Sequence, residues 1–324
     1  MSSPPPVDVA WLFPGQGSQC VGMGRDLAEA FPDVAGLYRQ ADALLGVTLS
    51  RLCFEGPEEE LTRTINAQPA LLTTSVAVLL ALGGRLDERG YLHRPERLPR
   101  PSLVAGHSLG EYTALVAAGA LPFPEALRLV RERGRLMGEA RSGTMAAVIG
   151  LEEEALEGIC QACGAEAPLV IANYNCPGQY VLSGATEAVE RAMEEARKRG
   201  ARRVIPLRVS AAFHSPLMQE AASGLARAVA TAAFSPAAIP VVANTCARPL
   251  SQPEAFREEL IAQVCSPVRW SASLEYMWKQ GVRRFLEIGP GTVLAGLVRR
   301  TLPEAKVQSV GTLAQVQALL ESER

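Results

Sequence analysis

The sequence has little net charge and no apolar run long enough to cross a membrane. Its 324 residues carry a formal net charge of −2, so the strongly basic surface of a nucleic-acid-binding protein is not expected. The longest apolar runs, residues 76–82 and 114–121, are far shorter than the ~20 residues that span a bilayer. The Ser/Pro-rich stretch 1–8 lacks the basic and apolar segments of a signal peptide. These features predict a cytoplasmic protein with neither nucleic acid nor a membrane as a partner.

The cysteines lack any regular spacing. There are seven, an odd number, which disfavours a disulfide framework and favours a reducing compartment. Cys160 and Cys163 form a single C-x-x-C pair with no second pair and no nearby histidine. We interpret them as packing residues on a helix, and the sequence predicts no metal site.

Apolar content and the order of elements indicate the fold class. Hydrophobic residues make up 48% of the chain, and the length suggests roughly two domains of about 150 residues. Strand-like and helix-like segments alternate, which predicts an α/β fold with a mostly parallel sheet covered on both faces. Residues 144–207 follow the order βαββαβ of a ferredoxin-like motif. We therefore predict a large α/β-hydrolase-like domain, residues 1–142 and 208–324, with a small ferredoxin-like subdomain, 143–207, inserted into it.

The most informative motif is a G-x-S-x-G pentapeptide, Gly106-His107-Ser108-Leu109-Gly110. It lies between an apolar strand-like run and a helix-like segment, which is the setting of a nucleophile elbow. The glycines allow a sharp, close-packed turn that lifts the serine hydroxyl above the sheet. The following helix directs N–H groups and the positive end of its dipole to the same point. A glycine-rich turn with an incidental serine is the alternative interpretation.

A serine nucleophile needs a base, and histidines are scarce. The chain has three, of which His93 lies in an Arg/Pro-rich stretch and His107 is adjacent to Ser108 in sequence. His214, in a loop after a strand-like segment, is the remaining candidate. Every aspartate precedes Ser108, and the glutamates between Ser108 and His214 lie near the elbow or mostly on polar helix faces. The sequence therefore favours a Ser–His dyad oriented by a neutral carbonyl over an α/β-hydrolase triad.

Two further features suggest a bound ligand. Residues 14–19 form a glycine-rich turn, but Cys20 replaces the last glycine of a G-x-G-x-x-G fingerprint and the Walker A pattern fails. A nucleotide-binding or non-catalytic module is thus an alternative that these turns support poorly. On the amphipathic helix predicted for 124–140, Arg133 projects from the middle of the apolar face. A charge there is costly unless paired, so Arg133 is either an internal or snorkelling charge or a clamp for a ligand carboxylate.

Six blocks of the sequence, taken in order, resemble the malonyl-CoA:acyl-carrier-protein transacylases. That family includes the acyltransferases of fatty acid and polyketide synthases. The resemblance covers nearly the whole chain from about Val9 onward. The blocks are FPGQGSQ at 13–19, GHSLGEY at 106–112, RGRLM at 133–137, ANYNCPGQ at 172–179, AFHS at 212–215 and LEIGPG at 286–291.

The resemblance implies roles in the chemistry. Ser108 would be the nucleophile that forms an acyl ester, and His214 would act as general base and then as general acid. The backbone N–H groups of Gln16 and Leu109 would form the oxyanion hole. The main-chain carbonyl of Gln263 would orient the histidine, which accords with the missing aspartate.

The resemblance also implies roles in substrate binding. Arg133 would pair with the free carboxylate of the malonyl group, while Gln68 and Asn244 would be polar residues lining the cleft. The ring of Phe213 would crowd an α-substituent and favour malonyl over methylmalonyl. Ala211 departs from the family pattern, since many synthase-embedded malonyl domains have histidine there.

The implied reaction is a ping-pong transfer. Malonyl-CoA would acylate Ser108, and the phosphopantetheine thiol of an acyl carrier protein would then attack the ester. No bound cofactor is implied. An acyl-carrier-protein thioester hydrolase on the same fold is the alternative, although related proofreading members tend to lack the arginine found here as Arg133. The sequence leaves open whether the carrier belongs to fatty acid or polyketide synthesis.

Overall fold

The computed structural model describes residues 9–209 and 211–323, in which strands and helices alternate. The strands are β1 Val9–Phe13, β2 Arg85–Leu86, β3 Leu92–His93, β4 Leu103–Gly106, β5 Thr144–Ile149, β6 Leu169–Cys176, β7 Gln179–Gly184, β8 Arg203–Pro206, β9 Val241–Val242, β10 Pro249–Leu250, β11 Arg284–Ile288 and β12 Lys306–Val310. The helices are α1 Arg25–Ala30, α2 Pro32–Leu45, α3 Leu49–Glu55, α4 Glu58–Thr62, α5 Thr64–Ala81, α6 Gly110–Ala117, α7 Phe123–Glu139, α8 Glu153–Cys163, α9 Thr186–Lys198, α10 Gln219–Thr231, α11 Pro253–Gln263, α12 Trp270–Lys279, α13 Val293–Thr301 and α14 Leu313–Ser322, with a 3-10 helix at Pro216–Met218.

A six-stranded sheet lies at the centre, in the order β10-β9-β4-β1-β11-β12. All neighbouring pairs are parallel except β10 with β9, which is antiparallel. The predicted α/β class with a mostly parallel sheet is therefore confirmed, and the sheet is mixed because of the short edge strand β10.

Helices cover both faces of this sheet. Strand β1 is apolar along its whole length and all five of its residues are buried, as expected for an inner strand of a parallel sheet. Trp11 and Phe13 belong to one core cluster, with side chains of α2 and α5. Ala10 and Leu12 point to the opposite face and belong to a second cluster, with Trp270 of α12.

Residues 144–206 contain a separate four-stranded sheet in the order β6-β7-β5-β8, with every pair antiparallel. Helices α8 and α9 pack on it through a third apolar cluster. The two chain crossings to the rest of the protein lie side by side, since the Ala212 N–H donates to the Ser142 carbonyl at 3.1 Å. On another side, the Val268 N–H donates to the Ala172 carbonyl of β6 at 2.8 Å.

Parallel pairing brings three chain segments together at the carboxyl ends of neighbouring strands. Phe13 of β1 pairs with Gly106 of β4, and Ala105 of β4 pairs with Val242 of β9. The residues that follow these strands therefore meet at one edge of the sheet, which is where open α/β sheets place their ligand sites.

Two regions differ from the sequence-based expectation. The segment 85–101 is rich in arginine and proline, which favours an exposed connection, but in the structure it pairs β2 with β3 and buries Leu92 and Leu98. The apolar run that follows Pro69 predicts a helix starting at that proline, but α5 begins at Thr64 and contains the proline. This helix is long and apolar enough to cross a membrane by length and composition, but 78% of it is buried within the protein, as in the core helix of a soluble protein.

Candidate active site

Ser108 lies in the sharp turn between β4 and α6. Its φ angle is +50°, in the left-handed region that residues other than glycine rarely adopt. The turn is tightly packed, because a Cβ atom at Gly106 would lie 1.8 Å from the Gly110 carbonyl carbon. A Cβ atom at Gly110 would lie 2.1 Å from the Phe13 carbonyl oxygen of β1. Both glycines are therefore needed for the close approach of β1, β4 and α6 that holds the serine in this conformation.

Asn244, two residues after β9, stabilises this turn through hydrogen bonds. Its side-chain Oδ1 accepts a hydrogen bond from the Ser108 N–H at 2.7 Å, and its Nδ2 donates to the Gly106 carbonyl at 2.7 Å. The residue is 1% exposed. The structure thus directs both polar groups of Asn244 to the backbone of the elbow, and its predicted place in a substrate cleft stays a prediction.

The structure brings Ser108, His214 and Gln263 together. The distance from Ser108 Oγ to His214 Nε2 is 2.8 Å, and His214 Nδ1 lies 2.8 Å from the main-chain carbonyl oxygen of Gln263. With Nδ1–H donating to that carbonyl, Nε2 is left as the acceptor for the serine proton. The backbone of His214 is also left-handed, with φ of +57°. This arrangement matches the geometry of a nucleophile, a base and a neutral group that orients the base.

His214 is buried, and this determines its protonation state. Burial is the largest effect and lowers its pKa from 6.5 to about 3, and the nearby Arg133 cation acts in the same direction. The hydrogen bond to Gln263 partly opposes both effects. The imidazole is therefore neutral, and able to accept a proton, across the whole physiological pH range.

Arg133 lies on α7 and points into the same site. One guanidinium nitrogen, Nη2, donates to Ser108 Oγ at 3.0 Å and to Gln263 Oε1 at 2.9 Å. The other, Nη1, donates to Gln68 Oε1 at 3.0 Å. The side chain is only 1% exposed, and its Nε is buried without a hydrogen-bond partner among the described residues. A buried cation held by neutral amide oxygens remains available to a ligand anion.

Leu109 follows Ser108 directly in the chain, and Gln16 lies in the turn after β1, where the preceding Gly15 packs against the His107 carbonyl. Gln16 follows β1, and its side-chain Nε2 donates to Thr64 Oγ1 at 3.3 Å. Leu109 is buried at the start of α6. Within the described residues, neither backbone N–H donates to a main-chain carbonyl. Both are therefore positioned near the turn without a backbone acceptor, as donors to a reacting oxygen would need to be.

Gln68 and Phe213 complete the set of residues that the sequence singled out. Gln68, on α5, is fully buried, and its Nε2 lies 3.6 Å from the sulfur of Met137. Phe213 is 6% exposed and precedes His214 directly, while its carbonyl accepts a hydrogen bond from Ser183 Oγ of β7 at 2.7 Å. Phe213 thus connects the histidine loop to the four-stranded sheet.

Two polar residues near the site, one half-buried and one buried, are assigned no role by the sequence analysis. His107 Nε2 lies 2.9 Å from Asn175 Oδ1 of β6, and its ring lies 5.4 Å from that of Trp270. Glu111, on the otherwise uncharged α6, accepts a hydrogen bond from Gln263 Nε2. A carboxylate within a fully buried helix is the same kind of signal as Arg133 on α7, and it is visible in the sequence.

A cavity of about 960 Å³ lies beside Gln16 rather than at the dyad itself. Its lining includes Gln16 and Thr64, together with Arg141 and Arg208 from the two chain crossings. Ser108 and His214 do not line it. Within residues 9–209 and 211–323, no cluster of three His, Cys, Asp or Glu side chains is arranged to hold a metal ion.

Comparison with known proteins places this site in a family. Residues 10–321 match the acyl transferase domain family. The chain is 45% identical to the malonyl CoA-acyl carrier protein transacylase of Bacillus subtilis, over 97% of this chain and 96% of that protein. It is 41% identical to the protein of the same name from Escherichia coli K12, over 96% of this chain and 98% of that protein.

Solved structures that resemble this chain have names like those of these relatives. A malonyl-transacylase in complex with its type II polyketide synthase acyl carrier protein has a TM-score of 0.90 and 41% identity, covering 97% of this chain and 99% of that one. An acyl carrier protein S-malonyltransferase from Vibrio cholerae has a TM-score of 0.90 and 40% identity, covering 96% and 99% of the two chains. The chain therefore belongs to the acyl transferase domain family, among the malonyl CoA-acyl carrier protein transacylases.

Proposed function

We propose that this protein transfers the malonyl group from malonyl-CoA to the phosphopantetheine thiol of an acyl carrier protein, in fatty acid or polyketide synthesis. The observation that carries the proposal is the buried Arg133 guanidinium, 3.0 Å from the Ser108 hydroxyl that His214 contacts at 2.8 Å. A nucleophile, a neutral base and a cation at one point suit an acyl donor with a second, free carboxylate. The names of the relatives point to the same reaction.

In the first half-reaction, His214 Nε2 takes the proton of Ser108 as Oγ attacks the thioester carbonyl. The backbone N–H groups of Gln16 and Leu109 donate to the oxyanion of the tetrahedral intermediate, and loss of one such donor typically costs about 10²–10³ in rate. The intermediate collapses to a malonyl ester of Ser108. Protonated His214 then gives its proton to the departing CoA sulfur.

The second half-reaction runs through the same groups in reverse. The carrier's phosphopantetheine thiol gives its proton to His214 and attacks the ester carbonyl. The tetrahedral intermediate again places its oxyanion against the two N–H groups. It collapses to malonyl-carrier thioester, and His214 returns the proton to Ser108 Oγ. Since His214 Nδ1 stays hydrogen-bonded to the Gln263 carbonyl at 2.8 Å, the same tautomer of the imidazole serves both half-reactions.

Arg133 provides the selectivity for a carboxylated acyl group. Its partners Gln68 and Gln263 are neutral amides, so they orient the guanidinium without cancelling its charge. A malonyl carboxylate can therefore replace the contact with Ser108 Oγ and form a charge-assisted pair. The Phe213 ring next to the base crowds a substituent at the α-carbon, and Asn244 supports the cleft by holding the elbow.

We also propose the division of the chain into two parts. Residues 1–142 and 208–324 would form the catalytic α/β domain, and 143–207 a ferredoxin-like subdomain that forms one wall of the cleft. The antiparallel order β6-β7-β5-β8, with two helices packed on the sheet, supports this division. The seven cysteines are free thiols in the structure, as expected for a protein that functions in the reducing cytoplasm.

Intact-protein mass spectrometry tests the proposal directly. The wild type, Ser108→Ala and Arg133→Ala are mixed briefly with malonyl-CoA, acetyl-CoA or methylmalonyl-CoA. We expect a malonyl adduct on the wild type that holo carrier protein discharges, none on Ser108→Ala, and loss of malonyl but not acetyl adduct on Arg133→Ala. Free CoA without an adduct would instead indicate a hydrolase. Neither an adduct nor free CoA would overturn the proposed substrate.

A further inference from the structure

Gln263 connects three groups of the site. Its main-chain carbonyl orients His214, its side-chain Oε1 accepts from Arg133 Nη2 at 2.9 Å, and its Nε2 donates to the Ser108 carbonyl at 3.1 Å. The residue is the last of α11 and is fully buried. The amide of Gln263 therefore contacts both the elbow and the cation that would bind the acyl carboxylate.

The two ends of an amide are not interchangeable at this point. If the Gln263 side chain turned over, Nε2 would face the Arg133 guanidinium, donor against donor. Its Oε1 would then face the Ser108 carbonyl, acceptor against acceptor. A strong acceptor on the Nε2 side favours the observed orientation further, because the Ser108 carbonyl satisfies only one of the two N–H groups.

Glu111 supplies that acceptor. Its carboxylate accepts a hydrogen bond from Gln263 Nε2, and it lies on the first turn of α6, three residues after Ser108. Glu111 is 2% exposed. Burial, followed by the nearby Glu259, raises its pKa well above the usual value, while Gln263 and Arg133 act in the opposite direction. A protonated carboxyl still offers an acceptor oxygen, so the contact does not depend on the charge.

We propose that Glu111 is a positioning residue for malonyl selectivity: it fixes the Gln263 amide, which in turn holds the Arg133 guanidinium beside Ser108. The inference rests on the proposed malonyl transfer and adds a residue that acts without touching the substrate. The His214 contact uses the main-chain carbonyl of Gln263 rather than its side chain. Loss of the Glu111 acceptor should therefore impair the binding of the malonyl carboxylate more than the chemistry at the serine.

Two uncharged substitutions of similar length distinguish the effect of the Glu111 acceptor oxygen from the effects of its charge and its side-chain shape. Glu111→Gln keeps an acceptor oxygen, whereas Glu111→Met fills the space without one. Rates of acyl-ester formation are measured by quenched-flow mass spectrometry with malonyl-CoA and with acetyl-CoA. For Glu111→Met we expect the malonyl rate to fall about tenfold or more and the acetyl rate to change less than about threefold. Glu111→Gln should retain most of the malonyl rate.

A double-mutant cycle with Arg133→Ala tests whether Glu111 acts through the arginine. In that background, Glu111→Met should cause no further loss of malonyl over acetyl selectivity, because the group it positions is gone. Equal losses with both substrates, or the same loss in Glu111→Gln as in Glu111→Met, would overturn the proposal. Thermal unfolding of each variant identifies a loss that comes from the fold alone.

A spectroscopic measurement separates this inference from the proposed substrate. The ¹⁵N chemical shift of Arg133 Nε reports the environment of the guanidinium without any acyl-CoA present. It should move in Glu111→Met and stay close to wild type in Glu111→Gln. A shift unchanged in both variants overturns the positioning role, whereas a wild type that forms no malonyl ester overturns the proposed function only.

Discussion

At the scale of single residues, the site is defined by two buried basic groups in different charge states. His214 is neutral because burial and Arg133 lower its pKa to about 3. Arg133 is also buried, and burial lowers its pKa too, but a guanidinium is so strong a base that the group stays charged at neutral pH. Perturbed groups of this kind concentrate at functional sites. The pair makes a base that accepts protons beside a cation that attracts anions.

The low pKa of His214 has a consequence for the pH dependence of acylation. The base stays neutral as pH falls through 6.5, so kcat/KM for acyl-ester formation should remain flat between about pH 8 and pH 5. Quenched-flow mass spectrometry across this range measures it. An inflection near 6.5 in the wild type would contradict the expectation.

Arg133→Ala, measured with acetyl-CoA, is the matched comparison. This substitution removes the second-largest cause of the low His214 pKa, so the decline of the acylation rate at acidic pH should begin at a higher pH than in the wild type.

The low pKa of His214 also makes the stability of the protein depend on pH. Below pH 6.5 the unfolded chain binds a proton that native His214 does not, so the free energy of unfolding falls as pH decreases from 6.5. Each assay therefore needs a check that the protein is folded.

At the scale of elements, the elbow depends on the packing of α6 against β1 and β4. The Ser108 backbone is strained, and Asn244 and the two glycines hold it in place. Strain of this kind persists only where the surroundings impose it. A change that separates these elements should therefore affect the site and the stability together.

Gly110→Ala tests this packing. The added Cβ would lie 2.1 Å from the Phe13 carbonyl oxygen, a backbone atom that cannot move away easily. We expect a loss of roughly 1–3 kcal/mol in the free energy of unfolding, as for an overpacked core, with loss of acylation. Gly296→Ala on α13 is the control, because its Cβ meets no atom within 4 Å, and it should be neutral or stabilising. Equal stability of the two variants in urea unfolding would refute the role of the close contact.

Local pattern predicts most elements of this fold but not the contacts that join them. The short apolar or alternating runs at 144–149, 284–288 and 306–310, each between turn residues, are typical of strands, and the structure has strands with these bounds. Helix α5 is different, since Pro69 cannot donate to the Ile65 carbonyl within the helix. Arg131 Nη1 donates to that carbonyl at 2.9 Å instead. This partner lies 66 residues away, so the sequence alone placed the helix start at the proline.

The difference between local patterns and contacts of distant residues also applies to the candidate active site. Ser108 and His214 are predictable because a motif marks the first and the scarcity of histidine marks the second. The contacts of Asn244 with the elbow and of Gln263 with Glu111 join residues far apart in the chain, and no local pattern specifies them. Family resemblance supplied the position of Gln263, but the contact of its side chain with Arg133 is visible only in the structure.

At the scale of the whole molecule, the cavity beside Gln16 lies where the chain crosses between the two sheets. Arg141 follows α7 and Arg208 follows β8, and both line the cavity of about 960 Å³. Neither forms an ion pair with a residue in the described parts of the chain, whereas the neighbouring Arg135 is paired with Glu132 and Glu139. Glu58 and Glu59 also line the cavity, so its charge is mixed. Unpaired guanidinium groups favour phosphate, which CoA and phosphopantetheine both carry.

Replacing both arginines by alanine should therefore weaken the binding of phosphate-bearing substrates without altering the chemistry at Ser108. We expect KM for malonyl-CoA and for holo carrier protein to rise about fivefold at low salt, with kcat nearly unchanged, because exposed charges contribute modestly. The difference should shrink as salt screens the charges. Arg39→Ala is the control, since Arg39 lines a separate cavity of about 470 Å³. A fall in kcat, or a KM that rises equally in the control, would show that phosphate recognition lies elsewhere. A rise for only one substrate would show that the CoA and carrier arms take different paths to the same serine.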